Sequence, residues 1–146
     1  MYPNPEVTSL IRDTFRAVRI HIKEQPGAWK RFAIRWTPTI LILSPEGHEA
    51  RRIEGYLPVD EFLGQLRLGL AFMAVNQKDF ATAQRWFDEA ASKSANTDAG
   101  PEALYWAGVS RYSASHKAEE LRKTTQQFKD RYQNTSWAKR ASIWGG

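Results

Sequence analysis

The sequence contains no cysteine. That excludes disulfides, thiol catalysis and cysteine-based zinc sites within this chain. It has no apolar run near the roughly 18–20 residues that a membrane-spanning helix needs, so no membrane partner is expected. It also lacks a Gly-rich phosphate loop, a G-x-S-x-G elbow and a zinc-protease motif. No catalytic residue is therefore assigned. His21, His48 and His116 fall on a predicted strand, a turn and a loop, without ligand spacing; no metal and no cofactor is expected. The first residues, Met1–Pro5, have neither the basic nor the apolar region of a signal peptide. The chain as given reads as soluble and cytoplasmic rather than secreted, with secretion of a longer precursor left open.

What is present is ordinary for a folded protein. At 146 residues the chain makes one domain or two very small ones, and a chain of this size buries about 68–70% of its unfolded surface. Residues 1–70 carry ten basic and eight acidic side chains, and residues 71–146 carry eleven and eight. Counted by halves, the surplus is spread out, and a diffuse positive charge does not point to a nucleic-acid partner. Arg51-Arg52 and Glu119-Glu120 read as solvated faces. Arg122-Lys123 lies three residues beyond the glutamates, a helical spacing that balances charge.

Along the chain, Pro5-Glu6 suits a first helical turn, with Val7, Leu10 and Ile11 at helical spacing. Val18, Ile20 and Ile22 then alternate with Arg19, His21 and Lys23, which predicts a half-buried strand over 15–22. Gln25-Pro26-Gly27 predicts a turn and Ala28–Ile34 a short helix. Ile40-Leu41-Ile42-Leu43 is a continuous apolar run, as in a strand covered on both faces. Ser44-Pro45-Glu46-Gly47 is a turn, and Ala50–Ile53 pairs back. Pro58 opens a helix with Val59, Phe62, Leu63, Leu66, Leu70 and Met73 on one face. Beyond Asn76 only helices are predicted, the last of them capped by Thr135-Ser136.

Thr37-Pro38-Thr39, the apolar strand, Gly47 and Gly55-Tyr56 together resemble the cis-proline half of the thioredoxin-like fold. The resemblance implies a cis Pro38 and a groove in which an extended peptide pairs beside Thr37. Trp36, Thr37 and Pro38 are the peptide-groove candidates. Trp36 either covers the groove or packs on a neighbouring helix. In that family a stretch like Tyr2-Pro3-Asn4-Pro5-Glu6-Val7 follows a C-x-x-C. The chain is thus expected to start inside the helix that the dithiol caps, without the central strand between 15–22 and 40–43. Two repairs of the sheet are expected: direct closure of those strands, or pairing with another chain, including a homodimer by strand exchange or strand pairing.

Lys78-Asp79-Phe80-x-x-Ala83-x-x-x-Phe87-x-x-Ala90 and Leu104-Tyr105-Trp106-Ala107-Gly108-x-x-x-Tyr112 resemble tetratricopeptide-repeat helices. Ala71 and Gly108 lie 37 residues apart, against the usual 34. Tyr132–Lys139 resembles a repeat junction, but Gln133 stands where a proline often follows the aromatic. The expected fold is α/β over residues 1–75, an incomplete thioredoxin-like sheet with helices, and an all-α tetratricopeptide-like segment over 76–146. The alternative for 76–146 is a helical cap on the sheet domain or a dimerisation face. Two functions follow from the resemblance. One is a thiol-free module that binds a protein or peptide segment. The other is the C-terminal portion of a thiol–disulfide oxidoreductase whose C-x-x-C lies upstream of Met1.

Overall fold

The computed structural model describes residues 3–145; Met1, Tyr2 and Gly146 lie outside them, and with Tyr2 the first residue of the Tyr2–Val7 stretch. Helix α1 spans Pro5–Thr14. The Asn4 side chain accepts hydrogen bonds from the N–H groups of Glu6 and Val7, at 2.9 and 3.3 Å, satisfying two donors that a helix leaves orphaned. Val7 is buried, and Leu10, Ile11 and Phe15 pack on the same core cluster.

The strand predicted over 15–22 requires correction. The segment between α1 and the next helix forms no strand, and Val18, Ile20 and Ile22 are 73%, 45% and 40% exposed. Alternation buries an apolar face only when a paired neighbour holds the segment against a second layer. Among the described residues the sheet has two strands, and neither pairs with this segment. Direct closure of 15–22 onto 40–43 therefore does not occur.

Helix α2, Pro26–Arg31, begins inside the predicted turn, because Pro26 suits a first helical position. Strands β1, Thr39–Leu43, and β2, Glu49–Glu54, form an antiparallel hairpin with Ile40 opposite Ile53 and Ile42 opposite Arg51. Its turn needs Gly47, whose φ is +90° and whose N–H donates to the Ser44 carbonyl at 2.9 Å.

Helix α3, Val59–Asn76, lies under the hairpin and belongs to two cores. Phe62, Leu63 and Leu66 join Val7, Ile42 and Ile53 in one cluster. Leu68, Ala71 and Ala74 join Ala83, Phe87, Ala90, Ala103 and Ala107 in another. Helices α4, Phe80–Lys93, α5, Ala99–Ser115, α6, Ala118–Asp130, and α7, Ser136–Ala141, complete the chain with a 3-10 turn at Ser142–Gly145. Each of these helices packs on the next, while α3 also touches α5 and α5 touches α7. Side chains at the crossings are small. A Cβ added at Gly108 would collide with the Thr124 side chain, so α5 and α6 approach there as only glycine permits.

Two arginines fasten this arrangement through long-range ion pairs. Arg51 of β2 grips Glu102 of α5 through both carboxylate oxygens. Arg67 of α3 is 3% exposed and donates to Glu6 of α1 at 2.7 Å; its Nε lies 3.5 Å from Glu89 of α4.

Candidate peptide-binding site

The three groove candidates sit together at the start of β1. The Thr37–Pro38 peptide bond is cis. The Pro38 carbonyl accepts from the Gly55 N–H at 2.8 Å, which ties the proline to the end of β2. The hydroxyl of Thr39 donates to the Trp36 carbonyl at 2.6 Å and closes the chain into a tight bend ahead of the strand. Gly55 has a φ of +87°, a conformation that glycine takes without steric cost.

Trp36 is 64% exposed and does not pack into the core. Tyr56, directly after Gly55, is 68% exposed. The Pro38–Gly55 bond therefore holds two large aromatic surfaces at one end of the hairpin. Arg35 places one guanidinium nitrogen 3.2 and 3.0 Å from the two carboxylate oxygens of Glu54 at the same end. In the sequence Tyr56 counted only beside Gly55, as part of the thioredoxin-like resemblance. Its exposure depends on residues distant in sequence, which no local pattern records.

Ladder geometry defines the free side of β1. In an antiparallel pair, hydrogen-bonded and non-hydrogen-bonded residue pairs alternate. The Gly55–Pro38 bond fixes the phase: Ile40 and Ile42 face β2 with their backbone groups, and Thr39 and Leu41 turn theirs the other way. Among the described residues no group bonds to the Leu41 N–H or C=O. An unpaired strand edge of this kind is a template for another extended chain.

The outer face of the hairpin, away from α3, is lined by the segment after α2. Arg52 donates to the carbonyls of Phe32 and Ala33, and Arg35 reaches Glu54. At the other end of the hairpin a Cβ placed on Gly47 would stand 3.5 Å from the Arg31 guanidinium. Residues 31–35 thus run the length of that face.

Two acids have a perturbed protonation equilibrium. Glu46 in the β-turn is held below the usual carboxylate range by its own backbone N–H, with help from the Ser44 hydroxyl. Asp79 is lowered by hydrogen bonds from Thr82, side chain first and then backbone. Neither lies near Pro38 in sequence, and the second is a helix cap. Among the described residues no three His, Asp or Glu side chains come close enough to hold a metal ion, and no helix is long and apolar enough to cross a membrane.

Residues 3–69 match the family model of a thioredoxin-like domain. That stretch is similar to a thioredoxin-like domain. The match ends within α3, in keeping with a helix shared between two cores. No curated protein and no solved structure matches the chain. The matched stretch holds the Thr37–Pro38 corner and the hairpin behind it, and carries no cysteine.

Proposed function

We propose that the chain is a protein- or peptide-binding module: a thioredoxin-like scaffold without thiols, continued by tetratricopeptide-like helical hairpins. One observation carries this reading. The edge of β1 at Thr39 and Leu41 is unpaired beside a cis-proline corner that presents Trp36 and Tyr56. An extended peptide laid along that edge gains main-chain hydrogen bonds, and the aromatics supply contact area for its side chains. The layering of α3, α5 and α7, with small residues at the crossings, supports the tetratricopeptide-like reading of the second half.

A capped peptide of alternating Val and Thr tests the binding mode. The native peptide should bind. The same peptide N-methylated at every second amide should lose binding in one methylation phase and keep it in the other, since only one set of amides faces β1. Equal binding in both phases, or none by any peptide, counts against the proposal.

A second reading rests on the same edge and on the unpaired segment 15–22. A strand from the parent polypeptide, carrying a dithiol, would fit between them, and the chain would be the C-terminal portion of a thiol–disulfide oxidoreductase. The coding sequence in frame before Met1 decides this: a C-x-x-C there favours it and a stop codon opposes it. By either reading the chain alone, having no thiol, should not reduce insulin disulfides above background.

A further inference from the structure

The net charge of this chain is concentrated in residues 16–35, the stretch that leads into the Trp36–Pro38 corner, contrary to the even spread that counting by halves suggests. Residues 16–35 contain six basic side chains, Arg16, Arg19, Lys23, Lys30, Arg31 and Arg35, and one acid, Glu24. The remainder of the chain has fifteen basic and fifteen acidic residues, so this stretch carries the entire surplus of +5. All six cations are exposed. Arg35 pairs with Glu54, and the other five form no ion pair among the described residues.

Apolar surface is interleaved with this charge. Val18, Ile20 and Ile22 alternate with Arg19, His21 and Lys23, and all six are exposed. The segment leads into α2, whose following residues lie along the hairpin. From these observations we infer that the partner of the open edge is an extended segment in which apolar residues alternate with Asp or Glu. The inference rests on the reading of β1 as a strand-accepting edge and adds the chemistry of the occupant. Backbone groups of the incoming strand pair with Thr39 and Leu41. Its apolar side chains cover Val18, Ile20, Ile22 or Trp36, and its carboxylates meet the unpaired cations.

The same charge argues against a second copy of the chain as occupant. A second copy would bring its own net +5 to the same site, and like charges brought together disfavour a partner. A nucleic acid would satisfy the cations but would leave the strand edge without main-chain partners.

Titration of the full chain with three capped peptides, Val alternating with Glu, Thr or Lys, each on an uncharged solubilising tail, tests this. The Glu peptide should bind roughly tenfold or more tighter than the Thr peptide at low salt. That advantage should shrink as salt rises through physiological strength, and the Lys peptide should not bind. An Arg19→Glu, Lys23→Glu double variant, altered at two exposed positions, should melt like the native chain and shift its preference towards the Lys peptide. If that variant misfolds, the salt dependence of the native chain makes the same distinction. Equal binding of the Glu and Thr peptides overturns the acidic partner and leaves the peptide-binding proposal standing. Failure of all three overturns both. Tighter binding of a short single-stranded oligonucleotide than of the Glu peptide, or a dimeric mass by light scattering without peptide, also overturns the inference.

Discussion

Arg51 and Glu102 are 51 residues apart in sequence and meet through two parallel hydrogen bonds, at 2.8 and 2.7 Å. The guanidinium also donates to Gln65 at 2.9 Å and lies over the Phe72 ring, 5.6 Å from its centre. Both partners are mostly shielded from water, with side-chain exposures of 21% and 12%. One arginine of the β-hairpin is thereby bound to α3 and α5 together. A double-mutant cycle with Arg51→Met and Glu102→Gln should give a coupling of about 1–3 kcal/mol, larger than exposed pairs give. Chemical denaturation of the four proteins measures it, and a coupling near zero would show that the pair is incidental.

Arg67 makes a different kind of tie. It is buried, but its partners Glu6 and Glu89 reach water. Removing the arginine strands no carboxylate in the core, so most of the loss should come from its packed stem. Arg67→Ala should cost about 2–4 kcal/mol. Arg67→Met keeps the volume and should cost less than about 1.5 kcal/mol. Thermal melts of the two variants separate these contributions; equal losses would mean that charge, not packing, dominates.

At Gly108 two effects oppose each other. Alanine within a helix is favoured over glycine by about 1 kcal/mol. Here the added methyl would strike Thr124, and overpacking costs about 1–3 kcal/mol. Gly108→Ala alone should therefore destabilise the fold. Combined with Thr124→Ala it should recover and approach or exceed the Thr124→Ala single variant, as read from denaturation midpoints.

Strong acid should loosen the start of α4. Asp79 accepts a hydrogen bond from the Thr82 N–H at 3.1 Å, and Thr82 holds its carboxyl below the usual range. A folded pKa lower than the unfolded one stabilises the protein above the unfolded value, about 3.9 for an aspartate, and this is lost as pH falls through the folded value. The Thr82 amide signal, followed by NMR during acidification, should titrate with a midpoint below that ordinary value. A midpoint at or above it would contradict the cap.

The sequence made the local features legible and left the distant ones dark. Pro5, Gly47, Pro58 and Thr135 punctuate elements through their own backbone chemistry, so their roles follow from a few neighbouring residues. The proposed cluster Trp36-Thr37-Pro38 came instead from the thioredoxin-like resemblance of the residues around it. The alternation at 18, 20 and 22 misled because a strand is defined by its partner, and pairing is a property of residues far away. Arg67 and Glu6 lie 61 residues apart, and nothing in either residue's surroundings announces the other. The charge of residues 16–35 was hidden by counting over halves of the chain, a window much wider than the segment that carries it.

The proposed function depends above all on β1 offering its free edge to an extended partner. Backbone amide shifts of the isotope-labelled chain, recorded while the Val–Glu peptide is added, read that edge residue by residue. The amides of Thr39 and Leu41 should move most, together with those of residues 18–22 and the Trp36 indole. Shifts confined to α5, α6 and α7, or no shifts at a peptide excess that saturates other strand-accepting proteins, would contradict it.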